Sequence, residues 1–110
     1  MEIRDRDFQR EVLESELPVL VEFWGSWCPP CQKEKYILEK LREEYRDRIK
    51  IVTINVDRNP RVAYRYGIKC VPTYIIFHRG EAIYSDIAAK SEDQLREMIE
   101  EALKKIPNRL

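Results

Sequence analysis

Glycine and histidine are scarce in this chain, whose 110 residues include three glycines and one histidine. Glycine is a common residue of turns, so the small number of glycines predicts short connections between helices and strands. The length is typical of one globular domain and too short for two, so we expect residues 1–110 to form a single domain. Folding of such a chain buries roughly two-thirds of its surface, which allows a hydrophobic core.

The net charge is zero, because twenty basic side chains balance twenty acidic ones. That balance is atypical of proteins that bind nucleic acids or membranes through basic residues. The longest apolar run, residues 74–77, is far shorter than the ~20 residues of a membrane-spanning helix. The first fifteen residues are highly charged and lack the apolar segment of a signal peptide. We therefore expect a cytoplasmic monomer that has no nucleic-acid or membrane partner.

The three cysteines are too few for a disulfide-stabilised scaffold, and their number is odd. In a reducing compartment, the C-x-x-C pair Cys28 and Cys31 is either redox-active or half of a metal site. Zinc takes four ligands, and the other soft candidates are Cys70 and His78. If residues 74–78 form a strand, these two lie up to ~26 Å apart. We therefore expect no metal, although a metal site shared between chains stays open.

The hydrophobic pattern of the first half predicts helices that alternate with strands. Asp5 is a candidate cap for a first helix. Residues 19–24 are apolar on both faces except at Glu22, as in a central parallel strand. Residues 28–46 follow with apolar side chains at helical spacing, and residues 49–56 are rich in β-formers. Parallel strands joined by crossover helices are therefore expected in this half.

The second half predicts a short helix, a hairpin and a last helix. Asn59 and Pro60 are typical of a helix start, and Gly67 of its end. Residues 74–78 and 82–85 predict antiparallel strands around Arg79 and Gly80. Ser91 then begins a capping box that Gln94 closes, and Pro107 ends the last helix. The whole pattern predicts an α/β fold with a mixed sheet, in which parallel strands are joined by an antiparallel C-terminal hairpin.

The local structure around Cys28 favours the redox interpretation. Cys28 lies where a strand ends and a helix begins, and the free N–H groups and dipole of a helix start stabilise a thiolate. A thiolate attacks disulfides far faster than a thiol does. Cys31 lies one turn further along, close enough to form a disulfide with Cys28. Pro29 and Pro30 fit the first turn, where their missing N–H groups lack helical partners anyway.

Two segments carry a resemblance to a known family. PVLVEFWGSWCPPC, residues 18–31, resembles the active-site segment of thioredoxins. NVDRNPRVAYRYGIKCVPTYIIFHRGE, residues 55–81, resembles the second signature of the family, which includes a cis-proline. The likeness extends over roughly residues 8–106. It implies the thioredoxin fold, with a central mixed sheet flanked by helices.

The resemblance also implies roles for the site residues. Cys28 is then the exposed nucleophile that forms a mixed disulfide with a client protein, and Cys31 is the thiol that resolves it. Val71 precedes a cis Pro72, and Trp27, Pro30, Val71 and Pro72 form an apolar rim for an extended client segment. Electrons come from a thioredoxin reductase or an equivalent flavoprotein, and the domain itself needs no cofactor.

Glu22 takes the place of a buried aspartate that is usual in the family. We interpret it as the proton acceptor of Cys31; the alternative is a glutamate that reaches the sheet edge or pairs with a base. Burial predicts a pKa above the ~4.3 of a free glutamate. The family's neighbouring lysine is absent, and Thr53 stands in its place.

Other departures from the family carry weaker expectations. Pro29 replaces a glycine, and C-P-P-C sites tend to be more oxidising. Glu34 matches a C-x-x-C-x-x-E pattern of membrane-anchored thioredoxins, but we favour a solvated helix face for it. Cys70 is either a small apolar rim residue, which we favour, or a second redox thiol. We expect Trp24 in the core with a hydrogen bond to Asp57.

These observations predict a protein-disulfide reductase of the thioredoxin type. Within the same chemistry, a disulfide oxidase or isomerase stays open. A domain that uses its groove only to bind partners is the alternative from another class, and the intact pair of cysteines speaks against it.

Overall fold

The computed structural model describes residues 1–107, which contain a five-stranded mixed sheet with helices on both faces. The strands are β1 (Glu2–Ile3), β2 (Val19–Trp24), β3 (Lys50–Asn55), β4 (Thr73–His78) and β5 (Glu81–Ile87). The helices are α1 (Pro29–Glu44), α2 (Pro60–Arg65) and α3 (Glu92–Lys104). Residues 108–110 of the predicted single domain lie outside the described residues. Within residues 1–107, no helix is both long and apolar enough to span a bilayer.

The strand order is β1-β3-β2-β4-β5, with β2 at the centre. β2 pairs in parallel with β3 and antiparallel with β4, and β4 continues into the antiparallel hairpin with β5. The predicted α/β class and mixed sheet are therefore confirmed. β1 was not predicted, because two residues are too few to show an alternating pattern.

Alternation along β2 creates a separate core on each face of the sheet. Leu20 packs with α1 and α3, whereas Val21 and Phe23 pack on the opposite face with α2 and the N-terminal segment. Side chains two positions apart on a strand share a face. Glu22 therefore lies on the same face as Leu20, directed towards α1.

The predicted turn and capping residues act as expected. Gly67 has a φ of 64° directly after Tyr66, the C-cap residue of α2, where helices commonly end in a left-handed residue. Arg79 and Gly80 both have positive φ in the β4–β5 turn, as a tight hairpin requires. Ser91 and Gln94 form the reciprocal capping box of α3.

The first helical segment forms where it was predicted, but as a 3₁₀ turn (Asp5–Asp7) and one π turn (Gln9–Leu13). The prediction that Asp5 caps this segment is wrong. The Asp5 carboxylate accepts hydrogen bonds from the backbone N–H groups of Arg61 and Val62 at 3.1 and 3.0 Å. Asp5 thus caps α2, whose own residue Asn59 uses its side chain to accept from Asp5 N at 2.9 Å. A long-range cap of this kind leaves no local sequence pattern.

Replacing Asp5 with alanine should destabilise the fold by about 1–2 kcal/mol, the usual cost of a lost helix cap. The backbone N–H groups of Arg61 and Val62 would lose their acceptor, whereas the bond from the Asp5 backbone N–H to Asn59 would remain. Urea unfolding of the variant measures this cost. Glu97→Ala is the control, because Glu97 is exposed on α3. Equal stability of Asp5→Ala and the control would contradict the capping role.

Candidate active site

A disulfide between Cys28 and Cys31 lies at the junction of β2 and α1, with the two Cα atoms 5.2 Å apart. Cys28 is the N-cap residue of α1, and its sulfur accepts the backbone N–H of Cys31 at 3.1 Å. Pro29 and Pro30 occupy the first two helical positions. The donor to the Cys28 sulfur is therefore Cys31, so the absence of an N–H at Pro29 does not remove this hydrogen bond.

Both cysteines are buried in the disulfide form, with 5% of Cys28 and 3% of Cys31 exposed. The expectation that Cys28 is exposed is therefore wrong for the oxidised state, in which Cys28 lies buried at the junction of β2 and α1. Trp27, the residue before it, is 92% exposed. An exposed indole beside a covered disulfide is a surface on which another protein can dock.

The four predicted rim residues lie on two segments that meet beside the disulfide. The Val71–Pro72 peptide bond is cis, as the resemblance implies. A Cβ built on Gly25 would lie 3.4 Å from Val71 Cγ2, so Val71 packs on the turn that precedes Trp27. Pro30 is exposed, Val71 is half-buried and Pro72 is buried. The rim therefore presents mainly Trp27, Pro30 and part of Val71 to the surface.

Hydrogen bonds hold the turn that carries Trp27. The backbone N–H of Ser26 donates to Asp57 Oδ2 at 2.9 Å, and Cys28 N donates to Gly25 O at 3.2 Å. Trp24 is half-buried, and its indole N–H donates to the Glu2 carboxylate at 3.1 Å. The predicted bond between Trp24 and Asp57 is therefore wrong, because Asp57 holds the backbone of the turn instead.

Glu22 is 2% exposed and lies directly opposite Thr53 on β3 and Tyr74 on β4. Burial raises the pKa of Glu22 to about 9, and the nearby carboxyls of Glu34 and Glu2 add to the rise. Glu22 therefore holds its proton at neutral pH. The expected upward direction of its pKa is borne out, while its role in proton transfer stays a prediction.

Glu34 is also buried, with 2% exposed, so the expectation of a solvated helix face is wrong. Its carboxylate accepts the Tyr74 hydroxyl and the backbone N–H of Lys90. Burial raises the pKa of Glu34, while the Lys90 N–H and the contact with Glu22 oppose the rise. A sequence signal existed: Glu34 falls between Cys31 and Leu38 on the buried stripe of α1.

A cavity of about 770 Å³ opens behind the disulfide, between α1 and the edge of the sheet that carries β1. Cys31 and Glu22 both line it, together with Thr53 and Asn55. Glu2 lies at the same cavity and accepts the Thr53 hydroxyl at 2.6 Å. The cavity gives solvent a route to the buried Cys31 and Glu22.

Cys70 is a free, exposed thiol next to Val71. Its backbone carbonyl accepts the Thr73 hydroxyl at 2.7 Å, which fixes the start of β4. His78 lies at the far end of the same strand. Within residues 1–107, no group of three or more His, Cys, Asp or Glu side chains is arranged to hold a metal ion.

Comparison with known proteins matches residues 1–101 to the family model described as Thioredoxin. The chain is 37% identical to Thioredoxin 1 of Nostoc sp. over 102 residues, which cover 93% of this chain and 95% of the relative. It is 38% identical to Thioredoxin 1 of Synechococcus elongatus, over 92% of this chain and 94% of the relative. It is 42% identical to the Thioredoxin of Pyropia yezoensis, over 86% and 88% of the two chains.

The raised pKa of Glu22 predicts how stability changes with pH. The native state keeps the Glu22 proton up to about pH 9, whereas the unfolded chain releases it near the ordinary value of 4.5. The stability that this proton provides is complete below about pH 4.5 and is lost between there and about pH 9. The loss is at most about 1.4 kcal/mol per pH unit.

Glu22→Gln should flatten this part of the curve and stabilise the fold at neutral pH, since glutamine has no proton to release. Urea unfolding between pH 5 and pH 9 measures both effects, with the exposed Glu97→Gln as the control. An unchanged slope in Glu22→Gln would show that Glu22 titrates normally in the folded protein.

Proposed function

The chain belongs to the thioredoxin family and is a thiol–disulfide oxidoreductase, and we propose that Cys28 and Cys31 carry out its reduction of protein disulfides. One observation supports this assignment above the others: the sulfur of Cys28 accepts a backbone N–H at the start of α1. The same donor and the helix dipole stabilise a thiolate at Cys28 once the disulfide is reduced. Cys28 is therefore the nucleophile, and Cys31 is the resolving thiol.

The reaction proceeds in two exchanges. The Cys28 thiolate attacks one sulfur of a client disulfide, which forms a mixed disulfide and releases the other client sulfur as a thiolate. Cys31 then loses its proton and attacks the Cys28 sulfur, so that the second client thiolate leaves and the Cys28–Cys31 disulfide forms. The client gains two electrons and, from Cys31 and solvent, two protons. Glu22, which shares a cavity with Cys31, is the proposed group that accepts the Cys31 proton once its own proton has left.

Client binding is proposed for the rim formed by Trp27, Pro30, Val71 and Pro72. Trp27 offers a large exposed aromatic surface at low entropic cost. The backbone at Val71 can pair with an extended client segment, a short form of strand addition. Binding at this rim brings the client disulfide to Cys28, because Val71 packs on the turn that leads to it.

Family membership supports further proposals about the cellular setting. The electron donor is a thioredoxin reductase or an equivalent flavoprotein, and the clients are proteins with accessible disulfides. A reductase needs a compartment that keeps thiols reduced, which supports a cytoplasmic role in electron transport. We propose that residues 1–110 form one domain that acts as a monomer, without a nucleic-acid or membrane partner.

Replacing Cys31 with serine should trap client proteins, because it removes the resolving thiol and keeps the nucleophile. Mixed disulfides should accumulate on Cys28, as peptide mapping by mass spectrometry would show. The variant should also lose catalysis of insulin reduction by dithiothreitol, which the wild-type protein should accelerate. Clients attached to Cys70 instead of Cys28 would contradict the assigned roles.

Cys70 is proposed as an accessible thiol that can be modified beside the rim. Because it is free and exposed, mild oxidant should link two chains through it even in Cys28→Ser/Cys31→Ser. Cys70→Ser should abolish these dimers and leave insulin reduction unchanged. Non-reducing electrophoresis follows the dimers, and resistance of native Cys70 to alkylation would rule out this proposal.

A further inference from the structure

Glu34 is a second buried carboxyl in the layer that holds Glu22, although resolution of the mixed disulfide needs only one proton acceptor. It lies three residues after Cys31, on the buried face of α1. The disulfide and the two acids therefore all belong to the interface between α1 and β2. A charged carboxylate in such a layer is costly unless donors surround it. The burial of Glu34 therefore needs an explanation in terms of its donors or its chemical role.

The Tyr74 hydroxyl connects the two carboxyls. It donates to Glu34 Oε1, and its oxygen lies 3.5 Å from Glu22 Oε2. The hydroxyl can donate its one hydrogen to either carboxyl, and we assign that hydrogen to the shorter contact, the one with Glu34. The Tyr74 oxygen can then accept from a protonated Glu22, which gives the chain the order Glu22, Tyr74, Glu34.

Nearby donors and a cation offset part of the cost of a negative charge on Glu34, although burial still raises its pKa above the ordinary value. The other Glu34 oxygen accepts the backbone N–H of Lys90 at 2.5 Å. The Lys90 ammonium lies 5.9 Å from the centre of the Tyr74 ring and is paired with Asp86 at 2.8 Å. These groups stabilise an anion at the Glu34 end of the chain.

The groups on the Glu22 side do not favour an anion there. β3 presents the neutral Thr53, and β1 presents Glu2, whose charge opposes ionisation of Glu22. Cys31 and Glu39 of α1 line the same cavity as Glu22, and so do four cations, Arg4, Lys35, Arg42 and Arg58. The causes that set the pKa of Glu22 nevertheless all raise it.

Because Glu22 already holds a proton at neutral pH, it cannot take the proton of Cys31 unless it passes its own proton on. We propose that Glu34 is a positioning residue for resolution: Glu22, Tyr74 and Glu34 form a relay in which Glu22 accepts the Cys31 proton as its own proton moves through the Tyr74 hydroxyl to Glu34. This proposal rests on the roles proposed above for Cys28 and Cys31.

Protons and charge balance in the relay. Before resolution, Cys31 is a thiol, Glu22 is neutral and Glu34 is an anion. Afterwards Cys31 is a thiolate and both acids are neutral. The thiolate attacks the Cys28 sulfur, the bond between Cys28 and the client breaks, and the client leaves as a thiolate. The pair then returns one proton to the departing thiolate or to water in the cavity.

Two variants test the relay through the pH dependence of resolution. Because Glu22 and Glu34 interact, the pair loses its two protons in two separate steps. Resolution requires only the first step, after which one of the two acids is ionised and can accept a proton. Glu34→Gln leaves one acid, whose pKa lies between those two steps, and Tyr74→Phe removes the hydroxyl that bridges the acids while leaving their direct interaction. In the acidic part of the pH profile, its acid limb, the resolution rate rises with pH. Both changes should shift this rise to higher pH by about one unit, so that the rate at a given pH in this range falls about tenfold.

The resolution rate is measured by rapid mixing of the reduced protein with a peptide disulfide, followed by acid quenching of the mixed disulfide. Glu97→Gln, on the exposed face of α3, should keep the wild-type profile. Attack by Cys28 is measured separately in Cys31→Ser, where adding Glu34→Gln should leave its rate unchanged. Wild-type acid limbs in both Glu34→Gln and Tyr74→Phe, or slower attack in the double variant, would overturn the relay.

A measurement on the wild-type protein avoids any effect of the substitutions on folding. Carboxyl carbon NMR of the oxidised protein at neutral pH should find Glu22 neutral and Glu34 ionised. Two neutral or two ionised carboxyls would contradict the relay. Failure of wild-type Cys28 to attack the peptide disulfide would have a different meaning, because it would refute the proposed function and, with it, the relay.

Discussion

Burial of the Glu22 carboxyl between the central strand and α1 constrains the chemistry of this protein. A carboxylate in that layer loses its hydration, so it either keeps a proton or needs donors. The alternation that directs Leu20 into the core directs Glu22 to the same face, towards the helix that begins at Cys28. The fold thus places an acid behind the disulfide as a consequence of strand geometry.

The disulfide separates two surfaces with different properties. On the outer side, Trp27 and Val71 offer apolar area for a client chain. On the inner side lie the cavity that Cys31 and Glu22 line and the two buried acids Glu22 and Glu34. The proposed client-binding surface is thus separate from the groups proposed to accept the Cys31 proton.

Features with a local cause were predictable from the sequence. The capping box at Ser91, the left-handed residue Gly67 and the hairpin at Arg79 and Gly80 each depend on a few adjacent residues. The apolar run around Glu22 was enough to predict a central strand and a raised pKa. The thioredoxin resemblance added the cis bond before Pro72, which no periodicity could supply.

Features that depend on long-range contacts were missed. Asp5 caps a helix that begins 55 positions later, and Trp24 donates to Glu2 across the sheet edge. Glu34 lay on the apolar stripe of α1, but its charge favoured a solvent-exposed position. Only the fold reveals that a tyrosine hydroxyl and a backbone N–H donate hydrogen bonds to its carboxylate. Local patterns identify elements, whereas partners of buried polar groups follow from the tertiary arrangement.

The reduction potential of the Cys28–Cys31 couple tests the central claim, that this protein is a reductase, most directly. It is measured by equilibrating the protein with defined ratios of oxidised and reduced dithiothreitol or glutathione and quantifying the disulfide. Thioredoxin itself has a potential of about −270 mV and protein disulfide isomerase about −180 mV, known values that do not come from this structure. A reductase requires a value near the former; a value near the latter would contradict the account and identify an oxidase or isomerase.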